Sequence, residues 1–166
     1  LDAGKHVLVE KPISNNIEEA RQLVDFAARK NLDLGCNLNH YFSGPAFRAD
    51  ELMANDSIGE QVYALTKVGF DGSAVNVARA DKFDRMNMPY AHAKAFLTHP
   101  FSVMRHYCGD ISHIQCFMEK PGARRQSEDL MMSITSVHMK FENGCVGYML
   151  SQRGDANFGL GGWWSF

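Results

Sequence analysis

Ala3-Gly4-Lys5-His6-Val7-Leu8-Val9-Glu10-Lys11-Pro12 is the stretch on which the fold turns. Val7-Leu8-Val9 is a short, β-branched, apolar run behind a glycine-containing turn, the pattern of a buried strand. Lys11-Pro12 ends it, because proline donates no ladder hydrogen bond and restricts the residue before it. Glu10 and Lys11 therefore stand at the C-terminal end of a buried strand, where open α/β sheets place their ligands. A lysine there offers a mobile ammonium to a substrate hydroxyl or carbonyl, and burial lowers its pKa toward that of a working acid or base. Read alone, the same pair is equally well a solvated loop leaving a strand.

Downstream, Asn15-Asn16-Ile17-Glu18 has the spacing of a helix cap with a glutamate three residues on. Ile17, Ala20, Val24 and Ala27, backed by Leu23 and Ala28, recur at helical spacing, with Arg21, Asp25, Arg29 and Lys30 outside. The helix is expected to end near Asn31, and residues 32–38 return to strand character. Strand, helix, strand in that order is the tail of a parallel α/β sheet. Pro45 opens a second helix, about 46–54, with Phe47 and Leu52 as core contacts, and Asn55-Asp56-Ser57 stops it.

From Gly59 the texture changes. Residues 61–70 alternate through Val62, Ala64, Thr66, Val68 and Phe70 as a period-2 strand, and residues 71–87 read as a long polar loop. A helix is expected over 96–107, starting or kinking at Pro100 and ended by Gly109. Residues 111–118, 133–141 and 145–152 read as strands. Glu142-Asn143-Gly144 marks a hairpin, with Asn-Gly suited to a type I′ turn. The fold expected is an α/β remnant of a Rossmann-type sheet over residues 1–38, then an α+β domain with a mainly antiparallel sheet over 39–166.

The 166 residues are 45% hydrophobic and 22% charged, the profile of a soluble globular chain. Seventeen Lys+Arg against nineteen Asp+Glu leave a net charge of -2, with no basic surface to argue for nucleic acid or an anionic membrane. No apolar run is long enough to span a bilayer. Cys36, Cys108, Cys116 and Cys145 form no C-x-x-C pair and read as buried thiols of a reducing cytoplasm. The histidines His92, His99, His106, His113 and His138 lack metal-ligand spacing, so no metal site is expected. Arg124-Arg125 reads as a solvated turn, and Trp163-Trp164 as sheet core or an oligomer contact. The opening on Leu1 and the apolar close on Trp163-Trp164-Ser165-Phe166 suggest sequence beyond both ends.

Gly4-Lys5-His6-Val7-Leu8-Val9-Glu10-Lys11-Pro12, Glu18-Glu19-Ala20, Leu34-Gly35-Cys36-Asn37-Leu38-Asn39-His40, Gly44-Pro45-Ala46 and Ile58-Gly59-Glu60, in this order, resemble the Gfo/Idh/MocA oxidoreductases. That family contains relatives of glucose-fructose oxidoreductase and inositol dehydrogenase. The resemblance implies an NAD- or NADP-dependent dehydrogenase or reductase acting on a sugar, polyol or related hydroxyl or carbonyl compound. It implies that Lys11 contacts the reacting oxygen, that Glu10, Lys11 and Pro12 turn beside the nicotinamide, and that Asn37 and Asn39 lie where the chain crosses between domains. Many relatives carry an arginine near the place of Asn39. Many also pair an aspartate with a histidine four residues later. Here His99 is the candidate, with Ala95 where the aspartate would stand, and its other reading is a helix cap or core residue. A homo-oligomer through the antiparallel sheet is expected by the same analogy.

A dinucleotide also needs a glycine-rich turn at a first strand, where backbone amides and a helix N-terminus receive the pyrophosphate. No G-x-G-x-x-G occurs, and Gly159-Leu160-Gly161-Gly162 precedes no expected helix. The fragment by itself is thus expected to be inert and to bind NAD(P) weakly or not at all. The rival reading is a non-catalytic binding or assembly module that keeps the sheet domain.

Overall fold

The computed structural model describes residues 1–71, 97–119 and 134–154. The expected loop after Asp71, the residues His92 and Ala95, the Arg124-Arg125 turn, Gly159–Gly162 and Trp163-Trp164 lie outside the described residues. The chain divides into two compact units, Leu1–Glu51 and Leu52–Phe166.

In the first unit, β1 (Val7–Glu10) and β2 (Leu34–Asn37) run parallel, with Val7 opposite Leu34 and Glu10 opposite Asn37. Parallel neighbours need a crossover, and α1 (Ile17–Arg29) supplies it. The cap is Asn16: its side-chain oxygen accepts the N–H of Glu18 at 2.8 Å and of Glu19 at 3.2 Å. The expected capping box pairs Asn15 with Glu18. Instead the Ser14 hydroxyl donates to the Glu19 carboxylate (2.8 Å) and accepts the Asn16 N–H (3.0 Å), a relay that satisfies the same orphan donor. Asn16→Ala is expected to cost about 1 kcal/mol, read as a lower midpoint in urea unfolding.

The apolar face of α1 is less covered than its periodicity implies. Ala27 is its one buried residue among those described, while Ile17 and Val24 are exposed. Two strands make too narrow a floor for a four-turn helix. An open cleft of about 800 Å³ remains, lined among others by Val7, Val9, Ile13, Leu23, Phe26 and Leu34. A 3-10 turn (Asn39–Phe42) follows β2, and then α2 (Gly44–Ala54). Ala46, not Phe47, is the buried residue of α2. Successive helical residues point about 100° apart, so turning Ala46 inward swings the larger ring toward solvent.

The second unit holds a four-stranded sheet in the order β3-β6-β5-β4. Its strands are β3 (Tyr63–Asp71), β4 (Ile111–Glu119), β5 (Ile134–Phe141) and β6 (Val146–Gly154). β4–β5 and β5–β6 are antiparallel, the second pair joined by the expected hairpin, while β3 lies parallel to β6 with Ala64 opposite Gly147. The β5–β6 turn differs from the expected type I′. Only Gly144 has a positive φ (96°), the Gly144 N–H donates to the Phe141 carbonyl, and the Phe141 N–H donates to the Cys145 carbonyl. That is a three-residue hairpin loop with glycine at its left-handed position.

One sheet face is the core. Thr66 and Val68 of β3, Thr135, Val137, Met139 and Phe141 of β5, and Met149 and Ser151 of β6 are all buried at period two. α3 (Thr98–Cys108) covers that face through Met104 and Cys108 together with Leu97, and Phe101 and Tyr107 pack at the margin. Pro100 is accommodated in the first turn, where its missing N–H has no intrahelical partner to lose. The expected set of buried thiols needs correction. Cys108 and Cys145 are buried, Cys36 is half-buried, and Cys116 is exposed on the edge strand β4. An edge strand has a neighbour on one side only, so an apolar run there does not imply burial.

Candidate active site

In the first unit the C-terminal ends of β1 and β2 bring Glu10, Lys11, Pro12, Cys36, Asn37 and His40 into one neighbourhood. The register sets Glu10 beside Asn37, and the Asn37 amide Nδ2 donates to Glu10 Oε1 at 2.6 Å. The carboxylate is thereby held at the strand end. The Lys11–Pro12 peptide bond is cis. Cys36 lies across from Val9, with the Ile13 N–H near enough to its sulfur to favour the thiolate. Asn39 opens the 3-10 turn and is exposed, whereas His40 in the same turn is half-buried.

Burial pushes the Lys11 ammonium below the ordinary lysine range, against the opposing pull of the nearby Glu10 and Cys36 charges. Desolvation wins because taking one amine partly out of water costs more than these screened neighbours return. His40 is lowered for two reasons, burial first and the positive charge of Lys11 second. The Cys36 thiol is pushed up by burial and by Glu10, partly offset by the Ile13 N–H and Lys11. Together these shifts favour a neutral imidazole, a neutral thiol and a lysine readier than usual to give up its proton.

For Lys11 the sign of the linkage is definite. Between its folded-state pKa and the ordinary 10.5 the unfolded chain binds more protons, so stability rises with pH through that window. Lysine-directed acylation should accordingly label Lys11 with a midpoint below the ordinary lysine value of 10.5. Site-resolved mass spectrometry across a pH series checks this, and a midpoint at or above that value would contradict it.

In the second unit, His99 occupies the first turn of α3 and is 9% exposed, so it is a core-facing histidine and not the cap, which is Leu97. Its carbonyl accepts the Ser102 hydroxyl at 2.8 Å. Three buried hydroxyls in this unit, Thr66, Thr98 and Thr135, have no hydrogen-bond partner among the described residues. Sequence reasoning passed over them and over His40. The period-2 pattern does put Thr66 on the inner face, but a threonine in a strand signals β propensity before it signals a site. Nothing in the local pattern around His40 marks its nearness to Lys11, which depends on the parallel pairing of β1 with β2.

The nicotinamide end of a dinucleotide fits this set of donors. A partly desolvated amine and the amides of Asn37 and Asn39 stand at the C-terminal ends of parallel strands, the place where such sheets receive ligands. The phosphates find no glycine-rich turn in this sequence.

Residues 1–38 match the family model described as an oxidoreductase family with an NAD-binding Rossmann fold. An uncharacterized oxidoreductase of Schizosaccharomyces pombe is 45% identical over 62 residues, which is 37% of this chain and 17% of that protein. A 1-carboxy-3-chloro-3,4-dihydroxycyclohexa-1,5-diene dehydrogenase of Comamonas testosteroni is 26% identical over 147 residues, 87% of this chain and 35% of that protein. Among solved structures, scyllo-inositol dehydrogenase of Lactobacillus casei, with bound NAD(H) and scyllo-inositol, superposes at a TM-score of 0.77. It has 20% identity and covers 93% of this chain and 46% of that one. An oxidoreductase of Agrobacterium radiobacter in complex with NAD+, L-tartaric acid and magnesium gives a TM-score of 0.73 at 12% identity, covering 89% and 41%. The chain thus spans less than half the length of each. Residues 1–38 are similar to the Rossmann segment of the Gfo/Idh/MocA oxidoreductases, and the chain is a short parallel β-α-β piece followed by a mixed, mostly antiparallel four-stranded sheet with its helix. Among the described residues no helix is long and apolar enough to cross a membrane.

Proposed function

We propose that this chain is part of an NAD(P)-dependent oxidoreductase that interconverts a hydroxyl and a carbonyl on a sugar, polyol or related compound. The observation that carries the reading is the half-buried Lys11, its pKa lowered by desolvation, at the end of a parallel strand in a family of nicotinamide-dependent enzymes. The domain division follows the same reading, with residues 1–38 belonging to the cofactor-binding domain and 39–166 to the substrate and oligomerisation domain.

The bound dinucleotide supplies the hydride acceptor or donor. Lys11 donates a hydrogen bond to the reacting oxygen and takes or returns its proton, a task for which a lowered lysine pKa is suited. Glu10, held by Asn37, fixes the turn through Pro12 and offsets part of the charge on Lys11. Asn37 and Asn39 offer amide groups to the carboxamide side of the cofactor. His99 is the second proton-handling candidate, held in the first turn of α3. The substrate class is supported by the inositol bound in the Lactobacillus casei structure and the diol ring named for the Comamonas testosteroni enzyme. A second copy of the chain, docked through the sheet of the second unit, completes the proposed assembly.

The test is turnover by the full-length protein with NAD or NADP and a panel of polyols, hydroxy acids and cyclic diols, followed by the absorbance of the reduced nicotinamide. Cofactor-dependent turnover of at least one hydroxyl compound is expected. A folded full-length protein that binds the panel compounds without redox turnover would support a non-catalytic binding module instead. The 166-residue chain alone is expected to show no saturable NAD(P) binding at millimolar concentration in calorimetric titration.

A further inference from the structure

Cys108 closes α3, and Cys145 precedes β6. The Cys108 thiol lies within electrostatic reach of Cys145. Both are almost fully buried, at 3% and 1% exposure, inside the cluster formed by Leu97, Met104, Val137, Met139, Phe141 and Met149. The backbone around them is tied on two sides. The Glu142 N–H donates to the Asp110 carbonyl at 2.9 Å, and Ile111 pairs with Phe141 in the β4–β5 ladder. Two neighbouring thiols in one buried cluster, on segments that the sheet already holds side by side, are the arrangement from which a disulfide can close.

We propose that Cys108 and Cys145 form an oxidisable dithiol that closes to an intramolecular disulfide, with hydrogen peroxide as the oxidant, while the surrounding sheet stays intact. In the first step one thiolate attacks a peroxide oxygen, the O–O bond breaks, hydroxide leaves and a sulfenic acid forms. The second sulfur then displaces the sulfenic oxygen as water. Overall the two thiols lose two hydrogens and two electrons, and one peroxide becomes two waters. A small oxidant suits this place, since a core site at 1–3% exposure has no room for a glutathione-sized one. Burial and the neighbouring Cys145 push the Cys108 thiol up to about 12, so thiolate is scarce at neutral pH and closure is slow. The link would fasten the C-terminal end of α3, whose first turn holds His99, to the β5–β6 hairpin. The proposal stands apart from the reading of Lys11.

The experiment uses the full-length protein with Cys36→Ser and Cys116→Ser, which leaves Cys108 and Cys145 as the cysteines of this stretch of chain. After incubation with hydrogen peroxide, the chain is denatured, alkylated and digested. The expected result is loss of both free thiols, a monomeric product lighter by two hydrogens, and a peptide cross-link joining the segments that hold Cys108 and Cys145. Its Tm should rise by about 5 °C or more over the reduced form, because closing a loop of this length restricts the unfolded chain. Adding Cys145→Ala should convert Cys108 to the sulfinic acid under the same treatment, with no cross-link. Recovery of both alkylatable thiols from the folded, peroxide-treated chain would overturn the proposal. So would sulfinic acid at either position with the partner thiol intact, or cross-linking only between chains.

Discussion

Replacing Lys11 with alanine in the full-length protein is expected to lower kcat/KM by about 10²- to 10⁴-fold, with cofactor affinity changed by far less. The loss should fall on kcat, because the ammonium contributes where charge builds on the reacting oxygen and not in holding the ground state. Lys11→Arg should not restore the rate. A guanidinium keeps the charge but stays protonated at every working pH, so it can donate and never accept. A uniform effect on KM with kcat preserved would instead make Lys11 a simple binding contact. Its environment argues against that: a lysine meant only to attract an anion gains nothing from being half-buried.

The largest stability effect is expected at Phe141. Its ring is 1% exposed, sits in the core cluster, and lies against Gly147, where an added Cβ would come within 2.8 Å of Cε2 of the ring and 2.9 Å of Cε of Met104. The same residue closes the β5–β6 hairpin through both its N–H and its carbonyl. Phe141→Ala should cost about 3–5 kcal/mol, a large share of the ~5–15 kcal/mol that holds a domain of this size. Phe141→Leu, which keeps most of the volume, should cost much less. Chemical denaturation with circular dichroism resolves the two. Similar midpoints for both variants would mean that the space beneath α3 can collapse and that the ring is not its keystone.

Much of this fold is legible in the sequence because its signals are local. Val7-Leu8-Val9 before a Lys-Pro break, the Asn-Gly hairpin and Gly109 after α3 each fix a boundary to within two residues. Pro100 marked a helix start for the same reason, as a missing N–H has few places to go. What failed is what depends on neighbours distant in the chain. The parallel pairing of β3 with β6 is set by which strand edges remain open, and no residue in either strand states it. The outward turn of Phe47 and the exposure of Cys116 follow from how much surface lies opposite them, which periodicity does not encode.

The site divides along the same line. Glu10, Lys11 and Pro12 could be chosen from one short motif, and the pairing of Glu10 with Asn37 follows once the two strands are set in register. His40 could not be chosen, since its nearness to Lys11 arises only when the 3-10 turn after β2 comes back past the end of β1. The three buried threonine hydroxyls of the second unit are in the same position, being visible only as atoms that burial leaves without partners among the described residues.

The central claim is that the amine of Lys11 moves a proton at the reacting oxygen, and chemical rescue tests it most directly. Small primary amines added to full-length Lys11→Ala should restore turnover in proportion to amine concentration, with the efficiency following amine basicity as general acid–base catalysis requires. A folded, cofactor-binding Lys11→Ala protein whose rate no amine of any size or basicity restores, or whose rate never fell, would contradict it.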